Sequence, residues 1–73
     1  MSYPWQVMNT KRGLDEKIAE GKQFFEYACY PHEVDLYKRQ LLELGITISA
    51  SEPFVHQGVT ICKVIAKYIT QSV

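Results

Sequence analysis

No run of like charge, no long apolar stretch and no glycine-rich loop occurs in these 73 residues, and cysteine and histidine number only two each. Each scarcity excludes something. Eight basic residues balance eight acidic ones, so the chain lacks the broad positive field that draws proteins to nucleic acid or anionic lipid. No segment approaches the ~20 apolar residues that a membrane-spanning helix needs. The stretch from Met1 to Thr10 has no basic start followed by a long apolar run, so no secretory signal is read there and the expected compartment is the cytoplasm. Ser2 and the ending Gln71-Ser72-Val73 offer no lipidation motif. Two cysteines are too few for the disulfide framework of a secreted mini-domain.

Catalytic signatures are missing too. The chain contains no phosphate-binding glycine loop, no G-x-S-x-G elbow and no H-E-x-x-H. Its carboxylates are interspersed with lysines and arginines, the pattern of a solvated surface. The expectation is therefore a non-enzyme with no cofactor.

What the chain does have is an ordinary globular mix, 47% hydrophobic and 22% charged, in a length that allows one domain, residues 1–73. A core this small supplies only about 3–5 kcal/mol of net stability unless something adds to it.

Three segments read as helix. Over 14–29, Leu14, Ile18, Gly21, Phe25 and Ala28 recur at steps of four and three, opposite a polar face. Over 32–44, Val34, Tyr37, Leu41 and Leu44 form a narrow seam, with Pro31 suited to the first turn and Gly45 to the position after the last. Over 59–70 composition and spacing disagree. Val59, Ile61, Val64 and Ile65 are β-branched, which favours strand, but Ile61, Val64, Ile65, Tyr68 and Ile69 follow helical offsets. The spacing predicts helix. Residues 1–9 read as an extended arm, because Tyr3, Trp5 and Val7 alternate. Residues 46–49 alternate as well, and a minor two-stranded patch with the arm would give them a partner. The expected class is thus mainly α, a small three-helix domain with an extended N-terminal arm. The rival is α+β, with 46–49 and 59–65 as a hairpin.

Three constellations carry functional hypotheses. Cys29, His32, His56 and Cys62 use every cysteine and histidine in the chain, and thiolate with imidazole is zinc's preferred ligand set. The loose spacing fits buried cysteines and surface histidines better. Next, Gly58-Val59-Thr60 ahead of a helical 61–69 resembles the entry to the recognition helix of helix-turn-helix repressors. That resemblance implies a DNA-binding regulator with Thr60, Lys63 and Lys67 at the groove, although the arginine, asparagine and glutamine side chains that read base edges are lacking there. Last, five tyrosines, three phenylalanines and one tryptophan exceed what a three-helix core needs. Aromatics concentrate at protein interfaces. The favoured reading is a small regulatory protein that binds another protein, self-associating as a homodimer, through Tyr3, Trp5, Phe24, Tyr27 and Tyr30.

Overall fold

Proline and glycine set the boundaries of the elements. The computed structural model describes residues 3–69. Helix α1 spans Trp5–Ala19 and starts on Pro4, whose carbonyl accepts the N–H groups of Val7 (3.0 Å) and Met8 (3.2 Å). It ends at Gly21, which sits at φ +90°. There Lys22 N–H donates to the Lys17 carbonyl and Gly21 N–H to that of Ile18, the paired bonds of a Schellman ending. Strand β1 follows over Phe25–Cys29. Helix α2, Pro31–Glu43, opens with the Glu33 carboxylate reaching back 3.0 Å to the Tyr30 N–H and closes at Gly45, φ +80°. Then come β2 (Ile46–Ala50), β3 (Phe54–His56) and β4 (Val59–Tyr68).

The long β4 is the spine of an antiparallel sheet of order β1-β4-β2, with β3 joined to its first residues. Since β1 and β2 both run antiparallel to β4, they are parallel to each other with β4 between them. That makes β1-α2-β2 a split βαβ unit. β3 and β4 meet across Gln57-Gly58, with His56 opposite Val59. Both turn residues have positive φ, 52° and 79°, as a two-residue type I′ hairpin requires.

Between β2 and β3 the chain bulges. Ala50 faces Val64 and Phe54 faces Ile61, so residues 51–53 oppose only 62 and 63. Ser51 bridges the irregularity. Its N–H donates to the Lys63 carbonyl at 2.8 Å, and its Oγ accepts from the Lys63 N–H at 2.9 Å.

Both helices cover one face of the sheet. Val7 and Leu14 of α1 and Leu41 of α2 are buried against Ile46, Ile48, Cys62, Val64 and Ala66. The strand residues on this list alternate, as one buried face demands. The opposite face, with Glu26, Ala28, Lys63, Ile65 and Lys67, is exposed.

The expected mainly α, three-helix class is therefore incorrect: the described residues form an α+β fold with two helices and four strands. The region 32–44 lies close to α2, but the other expectations shift. The N-terminal arm over 1–9 is helical from Trp5 onward, and Met1 and Ser2 lie outside the described residues. The helix expected over 14–29 stops at Ala19, since Gly21 terminates it instead of extending its stripe. The helix expected over 59–70 is β4 as far as Tyr68, with Thr70 outside the described residues. Its outward Ile61 and Ile65, interleaved with inward Cys62 and Val64, imitate helical spacing. The rival hairpin of 46–49 with 59–65 has a different register from the one found: β2 lies against residues 64–68, and among the described residues β2 does not pair with the arm.

Candidate protein-binding edge

Strand β1 lies at one margin of the sheet. One side of it pairs with β4, from Phe25 opposite Ala66 to Cys29 opposite Cys62. Among the described residues, no strand pairs with its other side. Which backbone groups point outward follows from β4. Lys63 directs its N–H and carbonyl to Ser51, on the β2 side, and Ile69 N–H donates to the Gly45 carbonyl on that same side at 2.8 Å. In an antiparallel ladder this direction alternates along a strand. Cys62, Val64 and Ala66 therefore turn toward β1 and bond Cys29, Tyr27 and Phe25. The backbone groups of Glu26 and Ala28 are left facing away from the sheet.

The two margins of the sheet differ in protection. The β2–β3 margin carries a bulge, Pro53 and a side-chain-bridged gap, all of which discourage strand addition. Within Phe25–Cys29 there is no proline, no lysine and no bulge, and Glu26 is the one charge. It reaches Lys63 on the open face at 3.6 Å.

A hollow of about 190 Å³ opens beside this edge, lined among others by Trp5, Asn9, Tyr27, Cys29, Glu33 and Tyr37. It is smaller than the ~300 Å³ at which small-molecule sites begin, a size suited to a side chain. Trp5 stands at its rim, 71% exposed. Within it, burial pushes the Tyr27 phenol above its usual range. Burial, helped by the Glu33 charge, does the same to the Cys29 thiol. Both groups sit beside the Glu33 carboxylate, the one acidic side chain of the lining.

Of the five expected partner-binding residues, four gather around β1. Phe24 and Tyr30, 46% and 48% exposed, flank its two ends. Tyr27 sits at its middle, stacked on Phe25 at 5.4 Å between ring centroids, and Trp5 overhangs from α1. Tyr30 stacks on His32 at 5.7 Å. Tyr3 stands apart: it packs on the core and donates to Glu43 Oε1 at 3.1 Å. Missed by the sequence reading were Asn9, Glu33, Tyr37 and the edge groups of Glu26 and Ala28. The signal lay in Phe25, Tyr27 and Cys29, which alternate directly after a helix-terminating glycine.

The other constellations disperse. Cys29 and Cys62 are cross-strand neighbours and both are free thiols. His32 lies in the first turn of α2 and His56 at the hairpin turn. Among the described residues no three His, Cys, Asp or Glu side chains converge as metal ligands. Thr60, Lys63 and Lys67 lie on strand β4, with Thr60 on the opposite face from the two lysines, so the reading helix expected over 61–69 is absent. Among the described residues no helix is long and apolar enough to cross a membrane. No family model, characterised protein or solved structure matches the chain.

Proposed function

We propose that this chain is a small non-enzymatic protein-binding module that acts by strand addition. An extended segment of a partner pairs with the outward backbone groups of Glu26 and Ala28, and one of its side chains enters the Trp5–Tyr27–Tyr37 hollow. Backbone pairing supplies affinity in this mode and the adjoining pocket supplies selectivity. The observation that carries the reading is an unprotected edge strand beside a side-chain-sized hollow of mixed aromatic and polar lining, with exposed aromatics at both ends of the strand. A regulatory role follows if the captured segment is part of the partner's own working surface, which the pairing would then occlude.

The test is selection of peptides from a random display library, with counter-selection against Ala28→Pro. Ala28 N–H faces outward, so proline removes a donor to the partner and spares the bonds to β4. Enriched peptides are expected to lose binding to the variant and to shift the Glu26 and Ala28 amide resonances. Peptides that bind the variant equally well, or that map to the open sheet face around Phe54 and Ile61, would contradict the proposal.

A further inference from the structure

We infer that the segment that pairs with β1 is β1 of a second copy, joined about a two-fold axis through Tyr27 into one continuous sheet. This rests on the strand-addition reading above and assigns its partner.

The register follows from the outward groups. An antiparallel pair bonds only through residues whose N–H and carbonyl point at each other, which on this edge means Glu26 and Ala28. A two-fold axis at Glu26 sets two carboxylates directly opposite, a destabilising pair. An axis at Ala28 sets Glu26 against Tyr30, whose N–H is already taken by Glu33, and it leaves Phe25 and Glu26 overhanging the strand of the second copy. An axis at Tyr27 overlaps all of β1. Glu26 then faces Ala28 of the second copy, Tyr27 faces Tyr27, Phe25 faces Cys29, and Phe24 comes opposite Tyr30.

The charges fit this register. Ala28 lies between the sheet margin and Lys63, with which it is paired in the ladder. Its methyl leaves the way open between Lys63 of one copy and Glu26 of the other. The ion pair that each chain makes internally, Lys63 to Glu26 at 3.6 Å, can thereby extend across the axis on the open face of the sheet. On the helical face, Trp5 and Met8 are exposed on α1, 71% and 45%. Trp5 also rims the hollow at this margin, so the apolar surface continues from the strand onto the helix. Isologous pairing requires a patch that complements itself, and this one does in backbone, in charge and in aromatic surface.

Sedimentation of the wild type and of two charge variants tests the inference. Wild-type chain is expected to dimerise. Glu26→Lys and Lys63→Glu, each alone, set like charges across the axis and are expected to weaken the dimer roughly tenfold. Both positions are exposed, so each variant keeps the fold, verified by circular dichroism. Mixing the two variants restores opposite charges across the axis in the heterodimer and in neither homodimer. The mixture is therefore expected to recover wild-type affinity within a few-fold, although each chain's internal pair stays broken. A wild-type dimer whose two variants do not recover on mixing overturns the register. A wild type that stays monomeric at about 1 mM overturns self-pairing. If edge-binding peptides are still selected, the strand-addition reading survives that result; if none are, both fail.

Discussion

Gly13 of α1 lies directly over the ring of Phe25: a β-carbon there would come within 2.7 Å of the ring's Cε2 and Cζ. The absent side chain lets α1 sit down on β1, and Phe25 in turn stacks on Tyr27 at the centre of the edge. Gly13→Val is expected to destabilise the fold by about 2 kcal/mol through overpacking, which outweighs the few tenths of a kcal/mol gained in helix propensity. In a Phe25→Ala background the same substitution is expected to cost measurably less. Equal costs in a urea-denaturation double-mutant cycle would refute the contact.

Leu14 and Leu41 are fully buried, one from each helix. Truncating such a residue costs about 2–5 kcal/mol, comparable to the whole stability expected of so small a core, about 3–5 kcal/mol. Leu14→Ala is therefore expected to leave the chain largely unfolded at 37 °C by circular dichroism. A cooperative melt close to the wild-type midpoint would contradict the assigned core.

The β3–β4 turn is not optimised. Gln57 holds φ +52°, a left-handed conformation that asparagine tolerates better. Gln57→Asn is expected to raise the denaturation midpoint, by about 0.5 kcal/mol of stability. Gly58→Ala should lower it by about 1–2 kcal/mol through backbone strain alone, since nothing lies within 4 Å of the added carbon. Opposite signs would mean the turn is of another type.

Two titrations have fixed directions. The Lys11 ammonium, 2.8 Å away, and the Tyr68 hydroxyl hold the Asp15 carboxyl below its usual range. A depressed folded pKa contributes stability above the unfolded value, and that contribution is lost as pH falls through the folded one. Followed by NMR, Asp15 should titrate below ~3.9, and Lys11→Met should raise its midpoint. Asp15 is solvent-exposed, so salt should blunt the shift. At Cys29 the shift runs upward, and the thiolate is the reactive form. Iodoacetamide should modify Cys29 more slowly than a free thiol at pH 8, and should modify the buried Cys62 more slowly still. A faster reaction at Cys62 would contradict its burial in the core.

Legibility in the sequence tracked how far each local signal agreed with its surroundings. The α2 region was readable because Pro31, the Val34–Leu44 seam and Gly45 all point the same way. Gly21 was misread as part of a stripe because period alone does not distinguish a spacer from a stop; its left-handed φ is what ends α1. The β4 strand was misread because one sheet face is open. Ile61 and Ile65 put apolar residues on both faces, which erased the alternation, while the Gln57-Gly58 turn lacked the usual asparagine. Aromatic excess did identify residues that cluster at β1, but the edge itself is a property of pairing. Nothing in the order of residues states that β4, the last strand, inserts between β1 and β2 and leaves β1 outermost.

Self-pairing depends on the outward backbone groups of Glu26 and Ala28, and amide hydrogen exchange reads them one by one. In concentrated protein the account predicts slow exchange along the whole strand, Phe25 through Cys29. On dilution Glu26 and Ala28 should become fast while Phe25, Tyr27 and Cys29 stay protected by β4. Fast exchange at Glu26 and Ala28 at every concentration, or protection there that dilution does not remove, would contradict it.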